Sequence, residues 1–277
     1  MDIPKARITF VSIFLIATLS KAQERISTKI DSTNYKEIIH SLPTFTIFGD
    51  NYIITGTALN EKPDSDNSDA KFQLGFKQRI TNLDLPWDAF LFFTYRQKSF
   101  WNVYKESFPF RESNYNPGLG FAKLFFKNNE ISSGLWFQFE HESNGRDREN
   151  SRSWNYFSLL YIKPYLNQWQ FRIKGWAPIG SIRDNPDLLE YRGYFEGGIS
   201  YRPWKSLIFE GDFRKSFSSD WRGSLKLGVS YKISKNSNQF IYLQYYLGYA
   251  EDLINYTESV SRLRIGITFK DLSFKFK

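Results

Sequence analysis

The stretch from Ser224 to Ile233, "SLKLGVSYKI", alternates without a break. Leu225, Leu227, Val229, Tyr231 and Ile233 stand against Ser224, Lys226, Gly228, Ser230 and Lys232. A period of two is the mark of a β-strand with two unlike faces. The pattern returns in "SRLRIGITF", where Leu263, Ile265, Ile267 and Phe269 oppose Arg262, Arg264, Gly266 and Thr268. "WQFRIKG" and "SLIFEGDFR" repeat it, with Arg172, Lys174, Glu210, Asp212 and Arg214 on the polar side. A soluble sandwich also alternates, but on shorter strands with ordinary surface polars outside. Here both signs of charge, with Gly and Gln, recur on one face of strand after strand. A transmembrane barrel needs that division: an apolar belt toward lipid, and a polar interior where opposite charges pair.

About twelve such segments are expected, near 44–57, 71–80, 88–97, 118–127, 133–143, 153–163, 168–177, 191–201, 206–214, 222–233, 238–248 and 261–270, with bounds good to roughly 2–4 residues. An even number suits a bacterial single-chain barrel, and closure satisfies every backbone amide. The expected fold is therefore all-β, a 12-stranded antiparallel transmembrane β-barrel over 44–277. Turn signals fall between segments, as in "KNSNQ" at 235–239 and "FKNNE" at 126–130, and the longest polar interruptions are 58–70, 98–117 and 178–190. A lumen lined by both signs of charge is expected to be plugged by paired side chains.

The N-terminus reads "MDIPKARITFVSIFLIATLSKAQERI". Lys5 and Arg7 precede a short apolar run, and small residues close it at Ser20 and Ala22, which reads as a secretory signal peptide over 1–22 rather than a buried helix. Residues 23–43 are polar and weakly patterned, and read as a periplasmic arm. No later segment approaches the ~18 apolar residues of a spanning helix. Mean hydropathy is −0.47, yet aromatic residues make up 19% of the chain. The absence of Cys excludes a disulfide framework and thiolate metal sites. A net charge of +8 would suit nucleic acid or anionic lipid. No nucleic-acid motif accompanies it, and export removes such partners.

One of the two histidines lies in "LWFQFEHESNGRDRENSRSWNYFSLLYI". Leu135, Phe137 and Phe139 share a face that His141 and Ser143 continue. Trp136, Gln138, Glu140 and Glu142 share the other. With the polar face inward, His141 and Ser143 point to the membrane, about 6.5–7 Å apart at Cα. Across the hairpin Asn155 sits at the matching height, within reach of a cross-strand neighbour. A serine, an imidazole and an amide oxygen in that order make a nucleophile, a base and an orienter. A neutral orienter is reasonable where a carboxylate would be costly to desolvate. The plainer alternative is three interfacial polar residues at a barrel rim.

"HESNGRDRENSRSWN" resembles the outer-membrane phospholipase A family, through its H-x-S-N-G-R and S-R-S-W-N blocks at the family's spacing. "YRQKSFWN", "KESFPFRESNYNP" and "DNPDLLEYRGY" support it, over about 44–277. The resemblance implies a calcium-dependent lipase of the Gram-negative outer membrane, active as a homodimer on membrane phospholipids, with A1, A2 and lysophospholipase activity. It implies Ser143 as nucleophile, His141 as base and Asn155 as orienter. The Gly145 amide and a calcium-bound water would hold the oxyanion. Ca2+ would bind at the dimer interface through the Arg146 carbonyl and Ser151 hydroxyl, with the Ser107 carbonyl from the partner. Asp147 and Glu149 read as solvated loop charges rather than added ligands. Tyr156 stands where a basic residue is common in the family, and would alter contacts at the membrane interface. The chain ends without a terminal aromatic, a role left to Phe274 or Phe276. The alternatives are a passive outer-membrane pore and a catalytically degenerate barrel.

Overall fold

The computed structural model describes residues 43–80, 85–127, 130–234 and 237–271. The expected leader over 1–22, all but the last residue of the arm over 23–43, and Phe274 and Phe276 lie outside these residues. The described chain forms a closed antiparallel barrel of twelve strands. A short strand β1 (Phe45–Ile47) leads into β2 (Asn51–Ala58), β3 (Ser68–Arg79), β4 (Phe90–Trp101), β5 (Phe110–Lys127), β6 (Glu130–Ser143) and β7 (Ser153–Tyr165). Then come β8 (Trp169–Ile179), helix α1 (Leu188–Arg192), β9 (Phe195–Trp204), β10 (Leu207–Lys215), β11 (Gly223–Lys232), β12 (Gln239–Gly248) and β13 (Val260–Phe269). Each strand from β2 onward pairs with its sequence neighbours, and β13 pairs back onto β2 to close the wall. The connections after β2, β4, β6, β8, β10 and β12 include the long ones. By the usual asymmetry of such barrels these mark the extracellular end.

Most expected strands are present within a few residues, with three corrections. The stretch 44–57 is not one strand. Both β1 and β2 pair with β3, but Phe48–Asp50 bulge into the lumen between them, with Gly49 at φ +69°. Strand β5 starts at Phe110, inside the expected loop 98–117, because its upper part stands beyond the lipid and carries polar residues on both faces. Residues expected to open a strand at 191 instead end helix α1, which Gly193 terminates at φ +78°.

The alternation sorts the side chains as anticipated. Ile265 and Ile267 face out, while Arg264 and Thr268 are buried in the lumen. Part of the net positive charge is thus internal and paired. The pairs reach across intervening strands, and inward glycines make the reach possible. Arg264, Gly56 and Asp69 lie in one cross-strand row. Arg264 clasps Asp69 over Gly56 with bonds of 2.6 and 2.9 Å, and reaches Glu251 at 2.7 Å. A Cβ on Gly56 would fall 1.9 Å from the Leu263 carbonyl oxygen. Arg172, Gly198, Asp212 and Lys226 form a second row. Asp212 is held there at 2.5 Å by Arg172 and 2.7 Å by Lys226. A Cβ on Gly198 would sit 2.7 Å from both Arg172 Nη2 and Asp212 Oδ1.

The lumen is not closed by ion pairs alone. At the extracellular mouth Leu188 and Leu189 of α1 pack with Ala250, Leu253 and Tyr256 of the last loop against Trp154, Tyr156 and Trp176. The Tyr256 hydroxyl donates to Asp187, and burial together with that carboxylate raises the phenol above its usual range. Below this apolar cap lies a cavity of about 300 Å³ lined mostly by charged and polar side chains.

Replacing Arg264 by Met strands Asp69 and Glu251 in a buried site, which costs about 3–5 kcal/mol when a buried charge partner is removed. Denaturant unfolding of the refolded barrel should show a loss of that size. A loss under about 1 kcal/mol would mean the neighbouring cations carry the pairing without it.

Candidate active site

Strands β6 and β7 run side by side in the register Glu140–Tyr156, His141–Asn155, Glu142–Trp154 and Ser143–Ser153. The outward members are Phe137, Phe139, His141 and Ser143 on one strand, and Ser153, Asn155 and Phe157 on the other. Phe137, Phe139 and Phe157 are 45%, 43% and 42% exposed. The Phe137 and Phe157 rings stack at 5.3 Å, and Phe139 meets Phe157 edge-on at 5.8 Å. An apolar floor therefore leads up the outer wall to two polar pairs.

His141 and Asn155 are joined: Nδ1 lies 2.8 Å from Asn155 Oδ1. The amide oxygen can only accept, so Nδ1 carries the proton and Nε2 keeps its lone pair. Ser143 lies on the same face two residues on. Among the described residues no hydrogen bond joins its hydroxyl to the imidazole. Tyr115 pairs with Ser143 from the β5 side.

The inner face of the same hairpin is locked residue by residue. The Trp154 indole donates to Glu142 at 3.1 Å, and Arg192 pairs with Glu142 at 3.0 Å. The Tyr156 hydroxyl donates to Glu140 at 3.1 Å, and Lys174 pairs with Glu140 at 2.5 Å. The Trp154 and Tyr156 rings stack at 3.9 Å. Each of these bonds fixes a rung directly beside the His141–Asn155 rung. Tyr156 corrects an expectation: it points into the lumen, buried to 3% exposure, and makes no contact at the membrane interface. Neighbouring strand residues face opposite ways, so the position after outward Asn155 has to be internal.

The loop after β6 is shaped by Asn144, which sequence reasoning passed over as part of a motif block. It is buried, donates to the Asn150 carbonyl at 2.8 Å and accepts from the Arg152 and Arg146 amides at 2.9 and 3.3 Å. Gly145 follows at φ +64°, exposed, and its amide donates to no group among the described residues. Arg146 reaches back to Glu112 at 3.3 Å and donates to the Arg111 carbonyl. The Ser151 hydroxyl donates to Asp184 Oδ2 at 3.1 Å, and the Ser153 hydroxyl donates to the same oxygen at 3.1 Å. Asp184 opens the block "DNPDLLEYRGY" that supports the family resemblance, but nothing in the sequence pointed to its contact with Ser151 and Ser153. Asp147 and Glu149 are exposed and form no ion pair among the described residues, as solvated charges do. Ser107 lies at the same end of the barrel, exposed in the loop between β4 and β5. No contact among the described residues brings it to Arg146 or Ser151.

The bonded His141–Asn155 pair and Ser143 thus share one outward face of a twelve-stranded barrel. The family model described as Phospholipase A1 matches residues 17–269. The chain belongs to the Phospholipase A1 family. The Phospholipase A1 of Klebsiella pneumoniae is 34% identical over 212 residues, covering 74% of this chain and 71% of that protein. The fold is that of the outer-membrane phospholipase of Salmonella typhi, solved as a dimer with bound calcium. That structure has a TM-score of 0.74 and 26% identity over 90% of this chain and all of that one. The outer-membrane phospholipase A of Escherichia coli, in an active-site variant with an asparagine changed to alanine, matches with a TM-score of 0.73. Its identity is 28%, over 87% of this chain and 97% of that one. The barrel is accordingly a member of a phospholipase family resident in the Gram-negative outer membrane.

If Asn155 does no more than orient His141, Asn155→Ala keeps the barrel and its substrate binding but lowers kcat by about 10–100-fold, below the full value of a general base. Phospholipid hydrolysis in mixed micelles measures it. A KM change with kcat intact would place Asn155 in lipid binding instead.

Proposed function

We propose that the chain hydrolyses acyl esters of membrane phospholipids through Ser143, His141 and Asn155, as a calcium-dependent homodimer. The observation that carries this is the 2.8 Å bond from the His141 ring to Asn155 on the lipid-facing wall, with Ser143 on the same face. Their place near the extracellular end supports chemistry at the outer leaflet.

Ser143 Oγ attacks the ester carbonyl carbon while its proton passes to His141 Nε2. The Asn155 oxygen holds the Nδ1 proton and keeps the ring turned toward the serine through both protonation states. The tetrahedral oxyanion takes a hydrogen bond from the Gly145 amide, which is free to give it. Collapse breaks the bond to the glycerol oxygen, which takes the proton from His141 and leaves as the lysophospholipid alcohol. Water then attacks the acyl carbon while His141 Nε2 takes its proton; collapse breaks the carbon–Oγ bond, Ser143 Oγ takes the proton back from His141, and the fatty acid leaves. The same steps serve either acyl position and a monoacyl substrate.

The loop fits a hard cation that takes oxygen ligands. The Ser151 hydroxyl already meets a carboxylate oxygen of Asp184 at 3.1 Å. With the Arg146 carbonyl, and the Ser107 carbonyl of a second copy, this is an all-oxygen donor set. Calcium, when bound there, would supply positive charge near the developing oxyanion. The apolar cap on the lumen leaves little support for a passive pore.

Ser143→Ala should remove phospholipid hydrolysis in detergent micelles while the barrel still refolds, and chelation of calcium should stop the unaltered protein. Hydrolysis that survives Ser143→Ala ends the catalytic assignment. Hydrolysis that survives chelation strikes calcium alone. Ser151→Ala should raise the calcium needed for half-maximal rate by about tenfold, the loss of one good ligand.

A further inference from the structure

On its β5 side the base stands beside a proline. Strands β5 and β6 are in register at Tyr115–Ser143 and again at Gly118–Glu140, so Pro117 falls opposite His141. Proline has no N–H to give, and the ladder lapses over Asn116 and Pro117. The His141 carbonyl, which faces β5, loses the donor that any other residue at 117 would offer. Asn116 fills the gap: its side-chain Nδ2 donates to the His141 carbonyl at 2.9 Å. The amide's second hydrogen goes to the Tyr156 hydroxyl at 3.2 Å, and that hydroxyl donates onward to Glu140 at 3.1 Å.

The location gives this bond unusual leverage. Backbone N–H and C=O of one strand residue point to the same side. With the His141 carbonyl turned to β5, the His141–Asn155 rung is the non-hydrogen-bonded kind, in which side chains approach closely and the backbones do not bond. Strand β7 therefore holds His141 by its ring alone. The backbone beneath the ring is held from β5, where the ladder's own donor is missing.

We infer that Asn116 is a positioning residue for the hydrolysis: its amide replaces the donor that Pro117 lacks and sets the height and tilt of His141. The inference rests on His141 acting as the base. Loss of the amide frees the His141 carbonyl, lets β6 tilt at that rung, and moves Nε2 relative to Ser143. Small displacements of this kind are expensive in rate while leaving lipid binding alone.

The test is a rescue. Turnover of a diacyl phosphatidylcholine in detergent micelles with calcium is compared for Asn116→Leu, Pro117→Ala and the double variant. Each is first confirmed as folded by its heat-dependent gel mobility. Asn116→Leu should lower kcat roughly tenfold, the scale of one net hydrogen bond, with KM within about twofold. Pro117→Ala should stay near the unaltered rate. The double variant should regain most of the loss, because residue 117 then has its own N–H for the His141 carbonyl. If Asn116→Leu does not refold, Asn116→Ala, alone and with Pro117→Ala, gives the same comparison. A lumen-filling role for Asn116 predicts no rescue, so a double variant as slow as the single one overturns the inference, as does an unchanged kcat in Asn116→Leu. His141→Ala, assayed alongside, separates the two failures. If it retains turnover, the base assignment is wrong; if it loses turnover while Asn116→Leu keeps it, only the positioning role is wrong.

Discussion

A wall one residue thick, with lipid on its outer side, leaves each charged side chain only one place to go. Whatever is ionised has to turn inward and find a partner there, or carry a desolvation cost of several kcal/mol. The chain meets that demand by pairing across strands rather than along them. Arg264 reaches Asp69 over Gly56, and Arg172 reaches Asp212 over Gly198, so inward glycines are part of the electrostatics. These clasps tie together strands that are not neighbours, including those on either side of the closing seam. They fix the register of the wall, and register decides which side chains face lipid.

The groups proposed as reactive depend on that register more than on any pocket. His141 and Asn155 meet because β6 and β7 place them on one rung, and the rungs on either side are locked from within by Glu140–Tyr156 and Glu142–Trp154. A slip of one residue would turn the imidazole into the lumen and a glutamate into the membrane. The inner carboxylates thus fix the outward pair without touching it. The proposed orienter is an amide for the same reason that the charges are inside: on the outer wall an ionised partner would lose its hydration with no cation to replace it.

Much of this was legible in the residues. Strict alternation with both signs of charge on one face identified the barrel, and the phase of "LWFQFEHES" alone put His141 and Ser143 outside. The misread strand bounds share one physical origin, that period two speaks only where one face meets lipid. Strand β5 continues above the membrane, where Arg111, Ser113 and Asn114 obey no such rule, and its upper half reads as loop. The bulge at Phe48–Asp50 keeps a strand-like composition while breaking the strand. Helix α1 was hidden because Leu188 and Leu189 bury themselves in a plug, which makes a tertiary demand rather than a local one. Tyr156 was assigned to the interface from a family comparison, although the strand phase already required it to be internal. Contacts between distant loops, such as Ser151 with Asp184, had no signal at all in a single sequence.

A site on the outside of a barrel has a further property that follows from shape. The wall is convex, so two outward side chains on neighbouring strands diverge, and no single copy can enclose an acyl chain along it. The exposed Phe137, Phe139 and Phe157 offer a floor for such a chain but no roof. The groups proposed for calcium are similarly one-sided: Arg146 and Ser151 lie in the loop above His141, Ser143 and Asn155, while Ser107 stands apart at the same end. An opposing surface would complete both at once, giving the chain a groove and the cation its remaining oxygen. A second copy of the same wall would supply it with matched height and polarity, because the aromatic floor and the polar rim recur at the same depth in the membrane. The exclusion that turns mid-membrane charge into the lumen thus leaves the proposed chemistry on an open convex surface, which an opposing wall would close.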